Sequence, residues 1–319
     1  MSIEDWATAA LQGPYRQSRD QQLAIHTLED VFYGKTGADL AATTIASLFD
    51  PLLQHGFTVS PVFELWVRVC EAVRMLGGNQ DIDGRLIELL DAIAKLPDVK
   101  DQSGRAIGPG GGFSGIHWKD LPGLAITFRE YAVGTLPISN PSFTYAIFRV
   151  VCLSEADIEP ETPEMPDEGD WTEAQRATLM NVVTFGALYL VGGESNIDMS
   201  FHAEVSIMHG IESPYQTPEQ QRRAKTVVPP AANWILLAGE KIYELCKHGR
   251  DQHGRGYSLY RWALWKRDFV DIATNKGLTD DVKHIASQAA VKMEKIEGWM
   301  QIDQPKPSLP QLFQSSLTP

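Results

Sequence analysis

Apolar positions along the chain recur mostly at three- and four-residue spacing, the period of a helix with one buried face. Regular alternation, the mark of a half-buried strand, hardly occurs. The pattern predicts a first helix over residues 21–33, with Leu23, Leu28, Val31 and Phe32 turned inward. A second spans 38–53 and stops near Gln54-His55-Gly56. Pro61 suits the first turn of a third, whose buried side is Phe63, Trp66, Val67, Cys70 and Val73. A fourth covers 83–96 and is closed by Pro97.

The middle of the chain changes character. Residues 104–115 are glycine-rich and loop-like, followed by a short helix over 122–131 and another over 142–154. Residues 159–170 are acidic and carry Pro160, Pro163 and Pro166, the composition of an exposed linker. Helical periodicity then returns over 173–191. Residues 213–230 are polar, and their prolines bound a short helix before a strong one at 231–248. Helices over 259–276 and 279–300 complete the set. The expected architecture is an all-α single domain over 1–302, of about ten or more helices in two packed halves. Those halves, 1–158 and 171–302, are joined by the acidic loop, and 303–319 form a C-terminal tail. No internal repeat supports a solenoid.

Composition narrows the function classes. The formal net charge of −13 on 319 residues is spread along the chain, which argues against nucleic acid and against anionic membrane surfaces. It leaves room for a phosphate-bearing small molecule, because bound Mg²⁺ reverses the local sign. Cys70, Cys152 and Cys246 lie in apolar helical contexts without a C-x-x-C, so neither a disulfide framework nor a zinc site is expected. No apolar run is long enough for a membrane span, and Met1–Trp6 lack the features of a signal peptide. The expected location is the cytoplasm.

The stretch with the most chemistry runs from Gly192 to Glu204. On a helix, Asn196, Ser200 and Glu204 stand at i, i+4 and i+8, three oxygen-bearing side chains in one row. Oxygen donors with room for water and phosphate suit Mg²⁺. A purely structural reading accounts for the same residues. Ser195 would cap the helix with Asp198 as its acidic partner, and Ile197, Phe201, Val205 and Met208 would form the buried stripe. Other motifs fail. The glycine-rich loop lacks G-x4-G-K-[ST], and neither H-E-x-x-H nor G-x-S-x-G occurs.

The N-x3-S-x3-E spacing resembles the second metal motif of class I terpene cyclases, where Asn, Ser and Glu hold a Mg²⁺ against a substrate diphosphate. Arg149 lies upstream of Asn196 at a spacing that resembles their diphosphate-sensing Arg. In size and helical type the chain also resembles fungal sesquiterpene cyclases of an unusual class, the humulene synthases. That resemblance implies Mg²⁺ and an essential Lys holding farnesyl diphosphate, for which Lys266 and Lys241 are the candidates. The D-D-x-x-D motif is absent. Asp81 and Asp83 are the nearest substitute, with a solvated helix start as their alternative role. Arg261 shares a helix face with Lys266, and Phe63, Trp66, Phe185, Trp234, Trp262 and Trp265 are candidates to line an apolar pocket.

Further motifs are His117-Trp118-Lys119-Asp120-Leu121-Pro122 with Phe128-Arg129-Glu130, then Ala231-Ala232-Asn233-Trp234-Ile235, then Trp262-x-x-Trp265-Lys266. They resemble a large fungal family of helical proteins known as a domain of unknown function, which implies an all-α fold and no activity. The expected function is Mg²⁺-dependent cyclisation of farnesyl diphosphate, with an isoprenoid diphosphate as substrate and a homodimer as the assembled form. The rival is a non-enzymatic helical binding or scaffold protein.

Overall fold

A computed structural model describes residues 1–12, 18–54, 60–100, 104, 117–125, 127–128, 171–194, 197–212, 214–252 and 255–302. The expected helix at 142–154, the acidic linker and the C-terminal tail lie outside these residues. The described part is all-α. Its ten α-helices are α1 (Ile3–Leu11), α2 (Arg19–Phe32), α3 (Ala38–Gln54), α4 (Ser60–Leu76), α5 (Gln80–Ala94), α6 (Glu173–Gly192), α7 (Ser200–Ile211), α8 (Pro218–His248), α9 (Leu259–Thr274) and α10 (Asp280–Ile302). A short antiparallel hairpin, β1 (Arg250–Gln252) and β2 (Arg255–Tyr257), links α8 to α9.

Local chemistry explains most of the boundaries. Ser2, Ser18, Thr172 and Thr217 each accept from the N3 backbone N–H, while the N3 side chain reaches back to the cap. Each such box satisfies two of the donors that a helix start leaves unpaired. Helix α1, which the periodicity reading passed over, is placed this way, and its Trp6 packs edge-on against Phe32 at 5.2 Å. Helix α5 is capped by Asn79, four residues before the expected start, so Asp83 falls in its first turn and not at its first residue.

Two groups of helices emerge. Helix α5 packs on α2 and α3, and α1 on α2 and α4. In the second group α8 packs on α6, α7, α9 and α10. Helix α6 joins the groups by packing on both α4 and α5. It has little amphipathic character and buries residues on several sides, as a helix between two layers must. At its centre Gly186 leaves no space for a β-carbon, which would lie 2.8 Å from the Trp234 ring.

The largest departure from expectation is α8. Pro229 and Pro230 were read as the end of a short helix, yet one helix of 31 residues runs through both. A proline inside a helix costs about 3 kcal/mol. Here Val227, Val228, Ala231, Ala232, Trp234 and Ile235 are all buried around the pair, and each large side chain returns roughly 1.5–3 kcal/mol. Tertiary packing therefore overrides the local preference. In α2, Leu23 is 41% exposed and not inward, because the buried stripe runs through Ala24, Ile25, Leu28, Val31 and Phe32.

Candidate functional site

Helix α7 starts at Ser200, not before Asn196, and Asn196 itself lies outside the described residues. The N-cap is Met199, and Asp198 just before it accepts, through its carboxylate, from the Ser200 backbone N–H at 3.0 Å and from the Ser200 hydroxyl. The buried face of α7 is Ser200, His202, Ala203, Ile207, Gly210 and Ile211. Phe201 is 52% exposed, against the expected stripe. Small residues set the phase. A β-carbon on Gly210 would come within 2.5 Å of both the Ala231 β-carbon and the Val227 carbonyl. The helix approaches α8 through Ala203 and Gly210, which a count of large apolar residues does not register.

The polar side of α7 meets the hairpin and α9. Arg261 Nη1 donates to Glu204 Oε1 at 2.7 Å and to the Gly256 carbonyl at 2.9 Å. Its Nη2 donates to Glu212 Oε1 at 2.7 Å. The Gly256 N–H also donates to Glu204 Oε1, at 2.7 Å, and Trp265 Nε1 donates to Glu212 Oε1 at 2.7 Å. Tyr257 closes the group, its hydroxyl donating to the Ser200 carbonyl at 2.5 Å. The Arg261 guanidinium sits over the Trp265 ring, 5.2 Å from its centroid. One predicted metal residue, Glu204, thus meets one predicted phosphate residue, Arg261, while Ser200 joins the group only through its backbone carbonyl, on Tyr257.

The electrostatics are those of a mutually satisfied cluster. Burial acts to lower the Arg261 pKa, but its bonds to Glu212 and Glu204 outweigh this and hold the net shift upward. Tyr257 is pushed well above the usual phenol range, by burial first and by Glu204 second. Cys246, buried at the end of α8, is pushed up to about 12, chiefly by burial. Its thiol is therefore inert at neutral pH.

Both described donors of the nominated row already have partners within the chain. Glu204 Oε1 already accepts from Arg261 and Gly256, and the Ser200 hydroxyl is turned to Asp198. At Glu204 Oε1 a metal would have to displace a guanidinium and a backbone N–H; Oε2 carries neither of these bonds. Among the described residues no three His, Cys, Asp or Glu side chains are grouped to hold a metal. Asp81 and Asp83 do not converge either. Two positions apart on a helix, they point to opposite sides: Asp81 is exposed, and Asp83 is fully buried. Asp83 accepts from the Gly78 N–H at 3.0 Å through Oδ2, while Oδ1 has no hydrogen-bond partner. Burial pushes its carboxyl up to about 7, with the Gly78 N–H working against the shift.

The remaining candidates are scattered. Lys266 donates to Glu297 on α10, and Trp262 Nε1 donates to the other oxygen of Glu297 at 2.9 Å. A half-buried ammonium beside tryptophans requires a carboxylate or an anionic ligand nearby, and Glu297 is that carboxylate. Lys241 is half exposed and lies 3.7 Å from Glu244. Arg149 lies outside the described residues. The aromatic side chains do not share one wall. Trp66 donates to the Pro122 carbonyl at 2.7 Å, Trp262 stacks edge-on with Tyr243 at 5.0 Å, and Trp234 is wedged against Gly186.

Sequence reasoning missed Glu212, Gly256, Tyr257 and Glu297. No spacing links Glu212 to Arg261, 49 residues away, because the pair exists only once α7 and α9 pack. A family described as a protein of unknown function (DUF3632) matches residues 66–269, a stretch that includes Glu204, Glu212 and Arg261. No curated protein and no solved structure matches the chain.

Proposed function

The chain belongs to the DUF3632 family, and we propose that it is a non-enzymatic helical binding and scaffold protein of the cytoplasm. One observation carries this reading. Each described cation nominated for a substrate diphosphate has a carboxylate of the same chain beside it. Arg261 is held by Glu204 and Glu212, Lys266 by Glu297, and Lys241 lies near Glu244. A diphosphate that drew Arg261 away would leave two partly buried carboxylates without their counter-charge, each with one N–H donor remaining. Breaking such a cluster costs about 3–5 kcal/mol where burial is complete, and less at Glu212, which is 34% exposed. The polar residues of the site thus act as joints between α7, the hairpin, α9 and α10. Among the described residues no helix is long and apolar enough to cross a membrane.

Mg²⁺-dependent cyclisation of farnesyl diphosphate is the second reading. It rests on the meeting of Glu204 and Arg261, residues nominated on separate grounds. The scaffold reading takes precedence because those residues satisfy one another without a ligand. Incubation with farnesyl diphosphate and Mg²⁺, with headspace analysis for hydrocarbons, separates the two. The scaffold reading expects no hydrocarbon, and no saturable heat when pyrophosphate and Mg²⁺ are titrated in. A hydrocarbon whose formation is abolished by Glu204→Gln in protein that stays folded would overturn it.

A further inference from the structure

We draw no further inference here: the strongest candidate, the exposed apolar surface formed by Phe201 at the start of α7 and Leu259 and Tyr260 at the start of α9, carries nothing because nothing in the structure shows what covers it.

Discussion

Replacing Asp83 by Asn should stabilise the protein at alkaline pH and change it little in acid. The side chain is fully buried, one carboxyl oxygen accepts from Gly78, and the other has no partner. Its folded pKa is raised from 3.8 to about 7. The folded state therefore holds a proton that the unfolded chain releases. The associated stability is complete below pH 4, is lost as pH rises toward 7, and falls no further above that. At about 1.36 kcal/mol per pH unit, roughly 2.5 kcal/mol disappears between pH 5 and pH 8. Asp83 lies in the first turn of α5, where the helix dipole favours a negative charge by about 0.3–1 kcal/mol and trims the effect. Asn keeps an acceptor for the Gly78 N–H but cannot ionise, so the variant lacks this slope. Urea denaturation of both proteins, followed by circular dichroism at pH 5, 6, 7 and 8, measures the difference directly. Every other titrating group is common to the two and cancels. The gap should widen in favour of Asn by on the order of 2 kcal/mol across that range. A constant gap, or one that moves toward the wild type as pH rises, would refute the argument.

Arg261→Ala should destabilise by about 3 kcal/mol, and in a double-mutant cycle with Glu204→Gln the coupling should exceed about 1 kcal/mol. Independent, additive losses would mean that the pair does not bind the hairpin to α7. Gly210→Ala places a methyl group 2.5 Å from both Ala231 and a carbonyl of α8, so a loss of about 1–3 kcal/mol is expected from overpacking. A neutral result in chemical denaturation would show that α7 and α8 have slack at their crossing. Lys266→Met removes the charge opposite Glu297 and keeps the length. It should lower thermal stability at neutral pH by more than the Glu297→Gln/Lys266→Met pair does, since only the single variant leaves the Glu297 charge without its cation, with the Trp262 N–H as its remaining partner.

Fold class was legible because helical periodicity needs no knowledge of partners. The five buried positions chosen on α4, Phe63, Trp66, Val67, Cys70 and Val73, are all buried in the structure. Boundaries were read less well. Asp83 looked like a helix start because acidic residues favour that place, but Asn79 satisfies the N–H of Asp81 and moves the start upstream. Pro229 and Pro230 obey a local rule that burial on several sides overrides. The site was half legible. Glu204 and Arg261 stand out for oxygen and charge, and they do meet, whereas Ser200 turns its hydroxyl to Asp198. What they do there depends on Gly256 and Glu212, whose positions follow from how α7, the hairpin and α9 pack. A sequence states which side chains carry charge, and tertiary packing decides whether that charge faces a ligand or a neighbouring side chain.

Helix α8, which runs through the two prolines, is also divided in time. Neither residue has an amide hydrogen, so the rungs that would run from positions 229 and 230 back to 225 and 226 are missing. The turns on either side are therefore coupled mainly through their neighbours. Residues 218–223 are exposed or half exposed, and their amides should exchange with solvent by local fraying. Beyond the prolines, Ala231, Ala232, Trp234, Ile235, Ala238 and Gly239 are buried against other helices. Their amides open only when α6, α7 and α10 come away together. A single unbroken helix would thus show two exchange regimes, one fast over 218–223 and one near the rate set by global unfolding, with the border where burial begins at Ala224, ahead of Pro229–Pro230.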